Sequence, residues 1–302
     1  MNMPSPAAAT HNEDDMARIA VVAIARNEKP FLDEWLLYHR LVGIDHFFIY
    51  DDDPVPNLQE FLRPHEAYAT IIHWHDKHQA FPGQRGDRQT KAYVHALECH
   101  LAGYDWVAFI DLDEFLVFRK HANIKSFLAS LGTIPAVALN CHIFGHNGHY
   151  TDPEGLVTST HTRRRLHLGR TSKCINRCDA IAGIESVHRC KLKHGRLVDA
   201  NGRPFTKDPY PEKADIAHVN HYQCKSFARW MDRPARGDAC DVPALPENSW
   251  KSTKDGCLRR FVETVALNHN EHVDEYMLQY KDFLERAIRT IRPAPPNSIT
   301  TT

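Results

Sequence analysis

An α/β fold with a mainly parallel, mixed central sheet flanked by helices is the architecture this sequence predicts, and three observations carry it. Strand-length apolar runs alternate with stretches of helical period from Arg18 to Asn140. Three of those runs end in polar clusters: Arg26-Asn27-Glu28, Asp51-Asp52-Asp53 and Asp111-Leu112-Asp113. The composition, 42% hydrophobic and 25% charged over 302 residues, is that of an ordinary globular chain and excludes a disordered, collagen-like or coiled-coil one. Strands separated by helices pair in parallel, and ligands of such sheets sit beyond the carboxyl ends of the strands.

The first run, Ile19–Ile24, is apolar throughout, as a strand buried on both faces requires. Pro30 opens a helix where its missing N–H costs nothing; Phe31, Leu32, Trp35, Leu36 and Val42 form its apolar stripe, and Gly43 ends it. His46–Tyr50 is the second strand, which completes a strand-helix-strand unit. Leu58–Leu62 is a short helix and Ala69–Trp74 a third strand. Gln89–Leu101 has helical spacing through Tyr93, Val94, Leu97 and Leu101, with Gly103 as its stop. Trp106–Ile110 is the fourth strand, Ile124–Leu131 a helix closed by Gly132, and Ala136–Asn140 a fifth strand. From Cys141 to about Asn220 the chain is rich in Gly, His, Arg and Asn and reads as loops and short strands, a natural binding surface. Lys254–Leu267 and Val273–Ile291 are expected as helices, and Pro293–Pro296 ends the order. The expected division is a mobile tail over 1–17, a catalytic domain over 18–240, a helical extension over 241–292 and a second tail over 293–302.

Several functions are excluded or made remote. No stretch approaches the roughly 18 consecutive apolar residues of a membrane helix, and the polar start with Glu13, Asp14 and Asp15 does not resemble a signal peptide. A cytoplasmic location is expected, with peripheral membrane contact left open. A net charge of −1, from 37 basic and 38 acidic residues, argues against a nucleic-acid partner. Eight cysteines in such a chain are expected as reduced thiols. Cys174, Cys178 and Cys190 with His188 and His194 lack the paired spacing of a zinc site. The segment from Arg163 to Arg196 is locally basic and could meet an anionic partner. Most of the 21 histidines are expected to be hydrogen-bonded structural residues.

Asp111-Leu112-Asp113 is the most informative local feature. An extended chain projects alternate side chains to one side, so this spacing sets two carboxylates together. Two hard oxygen ligands suit Mg2+ or Mn2+, which keep positions open for diphosphate oxygens and can neutralise a phosphate leaving group. Glu114 is a further ligand or a partner of the following turn. A nucleotidyltransferase would use similar carboxylates but needs a glycine-rich phosphate loop where Arg26-Asn27-Glu28 stands.

Arg26-Asn27-Glu28, Glu34-Trp35, His39, Gly43-Ile44-Asp45-His46-Phe47, the stretch Trp106–Phe115, Asn140, Phe144-Gly145, Gly148, Lys173-Cys174-Ile175, His218, His221-Tyr222 and Arg236-Gly237 together resemble glycosyltransferase family 92 and its bacterial relatives among the family-2-like enzymes. The resemblance runs from Arg18 to Asp238 and implies a GT-A-type nucleotide-sugar-binding fold. The implied activity is metal-dependent, inverting transfer of a sugar from a UDP- or GDP-linked donor to an acceptor hydroxyl on a glycan, polysaccharide or lipid-linked acceptor. By the resemblance, Asp111 and Asp113 with His221 hold Mn2+ or Mg2+. Arg26, Asn27, Glu28, Asp51, Gln89, Asp111 and Lys173 line the donor. Asp51-Asp52-Asp53-Pro54 departs from the turn usual in the family. For the general base the candidates are Asp238, Glu185 and Asp179, with Lys173 and Arg163-Arg164-Arg165 as sources of positive charge. A non-catalytic nucleotide-sugar or carbohydrate-binding protein is the alternative from a different class, which the intact Asp111/Asp113 pair disfavours.

Overall fold

The computed structural model describes residues 17–75, 87–207, 214–236 and 250–293. In chain order the strands are β1 (Ile19–Ala25), β2 (His46–Asp51), β3 (Ala69–His73), β4 (Trp106–Phe109), β5 (Glu114–Phe118), β6 (Ala136–Ile143), β7 (Arg163–Arg164), β8 (Ser172–Arg177), β9 (Ile181–Ser186), β10 (Arg189–Leu192), β11 (Leu197–Val198), β12 (Ala217–His221) and β13 (His272–Val273). The helices are α1 (Leu32–Leu41), α2 (Leu58–Phe61), α3 (Arg88–Cys99), α4 (Ile124–Ser130), α5 (Val157–Thr160), α6 (Phe227–Met231), α7 (Arg233–Arg236), α8 (Lys254–Arg260), α9 (Ala266–Asn268) and α10 (Lys281–Ile291).

The central sheet runs β3-β2-β1-β4-β8-β6-β12-β5, with β11 beside the start of β6. β1 is parallel to β2 and β4, β12 is parallel to β6, and β8 and β5 run antiparallel to their neighbours. The expected mixed, mainly parallel sheet is therefore present. Every residue of β1 is buried, and its side chains alternate between two cores. Ile19, Val21 and Ala23 face α1, α4 and α10, while Ala20, Val22 and Ile24 face α3 and the β9–β10 hairpin. A separate cluster of Cys224, Trp230, Cys257, Phe261 and Val265 joins α6 to α8.

Helix α1 serves the free edge of β5. Trp35 Nε1 donates to the Glu114 carbonyl at 2.8 Å, Tyr38 Oη to the Leu116 carbonyl at 2.8 Å, and the Leu116 N–H donates to His39 Nε2 at 3.2 Å. These side chains satisfy backbone groups that no strand reaches. Burial holds the His39 pKa down to about 3, so the ring stays neutral and Nε2 stays an acceptor. Gly43, at φ 100, ends the helix where a Cβ would lie 3.3 Å from Ile124.

Three expectations change. The segment after Cys141, expected as loops and short strands, supplies interior strands of the main sheet: β8 and β12 lie inside it, and β6 continues to Ile143. Their sequences, SKCINR and AHVNH, carry buried polar side chains that disguise the strand pattern. β5 was not anticipated, because its sequence follows the carboxylate cluster without a break. The last helix begins at Lys281 rather than Val273, because Asp274 is clamped by Arg119 and Arg164 and the chain crosses to pair β13 with β7. Met277 and Leu284 then enter the main core, so residues 276–291 pack as part of the central structure.

Candidate active site

The registers bring several strand ends to one edge of the sheet. Ala25 is opposite Asp51, and β4 ends level with Val22. β8 runs against β4, so its first residues, Ser172 and Lys173, lie near the end of β4. Glu114, the first residue of β5, is opposite His221, the last of β12.

The first group lies beyond β1 and β2. Asp52 is fully buried and lies 3.2 Å from Arg26 and 3.3 Å from Arg88. The Asn27 N–H donates to Asp53 at 3.0 Å, and the Asp53 N–H donates to Asp51 at 3.2 Å. Burial raises the Asp51 pKa, and it raises that of Asp52 against the opposing pull of Arg88 and Arg26. The expected donor-lining residues Arg26, Asn27 and Asp51 are thus neighbours.

Arg88 is followed by Gln89, whose Nε2 donates to Asp111 Oδ1 and to the Tyr93 hydroxyl. α3 thereby ties the first group to the second. Lys173, 1% exposed, donates from Nζ to Asp111 Oδ2 at 2.8 Å and lies 3.3 Å from Glu114 Oε2. Burial opposes the Lys173 charge, but Asp111 and Glu114 outweigh it and raise its pKa well above the usual lysine value. Burial pushes Glu114 up to about 7, with Lys173 pulling the other way. Lys173 therefore spends its single positive charge on two carboxylates and leaves little of it for a ligand.

The third group is Asp113 and His221, whose Oδ1 and Nε2 are 3.5 Å apart. The chain turns at Asp111, with the Glu114 N–H donating to the Asp111 carbonyl at 3.0 Å, so Asp111 and Asp113 are not alternate residues of a strand. Both Asp111 oxygens take protein donors, from Gln89 and Lys173, whereas Asp113 pairs with His221. Burial disfavours the Asp113 carboxylate, but His221, Lys225 and Arg233 outweigh it and hold its pKa far below the usual range. Burial likewise opposes the His221 charge, and Asp113 more than offsets this.

A divalent cation fits this pair. Cis ligands of an octahedral ion with bonds of about 2.1 Å stand roughly 3 Å apart, close to the observed separation. His221 Nδ1 and Glu114 Oε1 are both buried without a hydrogen-bond partner and lie 3.7 Å apart. Asp113 favours a second proton on Nε2; a cation that displaced it would find the Nε2 lone pair, with the Nδ1 proton facing the Glu114 carboxylate, a recurrent support for metal-bound imidazole. Among the described residues, Glu114, Cys141 and His221 are the group whose ligand atoms lie within 4.8 Å of one another. Cys174, Cys178, Cys190, His188 and His194 form no such group, and the described cysteines are free thiols.

The remaining expected residues sit apart. Asp179 follows β8 at the opposite edge, where Arg177 is level with Trp106, and is held bidentately by Arg177 at 2.7 and 3.0 Å. Its expected role as base is not supported by that position. Glu185 is exposed on β9, and Asp238 lies outside the described residues. Arg164 is committed to Asp274 at 2.8 Å, and Arg163 donates to the Asn270 carbonyl, so this run does not supply the expected positive charge. Positive charge comes instead from Lys225 and Arg229, which the sequence reading missed. Both contact Glu28, at 3.3 and 3.0 Å, and their spacing of four residues, repeated at Arg233, was the available signal.

A family model described as glycosyltransferase family 92 matches residues 22–272. A glycosyltransferase family 92 protein of Oryza sativa subsp. japonica is 28% identical over 220 residues, 71% of this chain and 35% of that protein. One of Arabidopsis thaliana is 26% identical over 256 residues, 78% of this chain and 40% of that protein. The chain thus spans well under half the length of these curated relatives. Among solved structures, mannosyl-3-phosphoglycerate synthase from Rubrobacter xylanophilus matches 76% of this chain and 79% of its own at 14% identity and a TM-score of 0.36.

Proposed function

The chain belongs to glycosyltransferase family 92, and on that premise we propose that it transfers a sugar, with inversion, from a nucleoside-diphosphate donor of the UDP or GDP type to a hydroxyl of a glycan or lipid-linked acceptor. The observation that carries this reading is the meeting of Asp113 and His221 at the sheet edge that also holds the Arg26–Asp52 and Asp111–Lys173 groups. Asp113 Oδ1 and His221 Nε2 would hold Mn2+ or Mg2+, which when bound supplies charge neutralisation to the departing diphosphate. Glu114 orients His221. Arg26, Asn27 and Asp51 with Gln89 form the wall for the nucleoside, and Lys173 holds Asp111 in place through its 2.8 Å hydrogen bond. Holding donor and acceptor in line is the larger service, worth about 7–11 kcal/mol in well-oriented systems. For the acceptor proton we assign Asp238, two residues beyond α7 in the sequence.

A thermal-shift panel of UDP- and GDP-sugars with and without Mn2+ tests the donor reading. The cognate donor should raise the melting temperature more with Mn2+ than without, since ligand binding stabilises the fold by mass action. A flat panel under both conditions contradicts it.

A further inference from the structure

We propose that Lys225 and Arg229 form a subsite for phosphate oxygens, and that the chain's own Glu28 carboxylate holds this subsite until the donor displaces it. The inference rests on the donor reading above and adds a competitor to it. Glu28 Oε2 lies 3.3 Å from Lys225 Nζ and 3.0 Å from an Arg229 guanidinium nitrogen. Both cations lie over the Phe31 ring, at 4.5 and 4.6 Å from its centroid, and the ring face attracts and spaces them.

The cations are built in rather than draped on the surface. The Lys225 side chain is only 4% exposed, a depth at which a lysine needs an anionic partner. Lys225 has φ 55, and its carbonyl is held by His161 Nε2 at 2.7 Å. Asn27 also has φ 55, and its carbonyl accepts from Arg229 at 2.9 Å. Left-handed backbone at non-glycine residues is uncommon and persists where the surroundings over-determine it. Here it aims both sides of the contact at one another.

Charge and position point to a phosphate. Two cations share the Glu28 carboxylate; the next acid, Asp152, is 3.8 Å from Arg229, and Arg229 Nε is buried without a hydrogen-bond partner. A diphosphate offers more charge and more acceptor oxygens than one carboxylate. Asn27, beside Glu28, is bonded to Asp53 in the nucleoside-side group, and Lys225 follows His221 by four residues. The subsite therefore links the strand end proposed for the nucleoside to the one proposed for the metal.

Calorimetric titration of the full chain with inorganic pyrophosphate in EDTA isolates this subsite from any metal. Glu28→Gln keeps the shape and removes the charge, and should bind pyrophosphate on the order of tenfold more tightly than wild type. Lys225→Met and Arg229→Gln should each weaken binding by a similar factor, and Lys225→Arg should retain it if Lys225→Met does not fold. Pyrophosphate affinity in Glu28→Gln no higher than in wild type overturns the proposal, as does unchanged affinity in the folded cation variants. A parallel assay of nucleotide-sugar turnover separates the two readings. Absent turnover with the pyrophosphate pattern intact defeats the donor reading alone, and turnover without the pattern defeats the subsite alone.

Discussion

Lys173 is the residue on which the buried charges of the site balance. Its ammonium is the near neighbour of two carboxylates, one of them fully buried. Replacing it with Met leaves Asp111 and Glu114 uncompensated, and unfolding measurements on Lys173→Met should show a loss of about 3–5 kcal/mol. Removing the buried carboxylate as well, in Lys173→Met/Glu114→Leu, should recover part of that loss. A single variant as stable as wild type would show that the pair adds nothing to folding. The sequence made Asp113 and His221 legible as metal candidates because carboxylates at a strand end and a late histidine are chemically conspicuous. It did not show the turn between Asp111 and Glu114, which cannot be read from a spacing that an extended chain would share. It also missed Lys225 and Arg229, whose partner Glu28 lies about 200 residues away, with a sequence separation of 197 between Glu28 and Lys225.

At the scale of elements, the strands that were easiest to anticipate are those whose whole surface is apolar, such as β1 and β4. β8 and β12 were hidden because strands that line a site carry its polar side chains inward. The Trp35 and His39 positions of α1, conspicuous in the sequence without a stated reason, gain one in the structure: with Tyr38 they complete the edge of β5. Tyr38→Phe removes one buried donor and leaves the Leu116 carbonyl without it. Stability should fall by about 1–3 kcal/mol, with hydrogen exchange faster in β5 than in β1. Uniform exchange in the two strands would contradict this account of the edge. α8 shows a second adjustment invisible to sequence. It runs into a wider π turn at Phe261–Val265, and Cys257 of the helix with Phe261 and Val265 of the turn share one apolar cluster with Trp230.

At the scale of the whole molecule, the 21 histidines acquire a physical consequence. Burial depresses the pKa of His39 to about 3, His142 to about 2, and His161, His218 and His269 to about 4. Below pH 6.5 the unfolded chain protonates these rings while the folded chain does not. Their contribution is therefore complete above that pH and is lost as the pH falls toward the folded values. His221 has the opposite sign, being held protonated by Asp113 after burial is overcome, but it is one ring against five. The unfolding free energy should fall between pH 6.5 and 5 at roughly 1 kcal/mol per pH unit for each buried ring, and the melting temperature should drop with it. A melting temperature flat across that interval would contradict the assignment of neutral buried histidines. The balance of 37 basic and 38 acidic residues likewise resolves into local pairings, with the acids at the sheet edge held by Lys173, Arg26 and Arg88 and Asp113 left facing His221. We propose Asp113 and His221 as the centre of the sugar-transfer site. Its most direct test is release of nucleoside diphosphate from the donor chosen by the thermal-shift panel, with Mn2+, by wild type and Asp113→Asn. Wild type should turn over, and a folded Asp113→Asn should lose about 100-fold or more; equal turnover by the two proteins would remove Asp113 from the reaction.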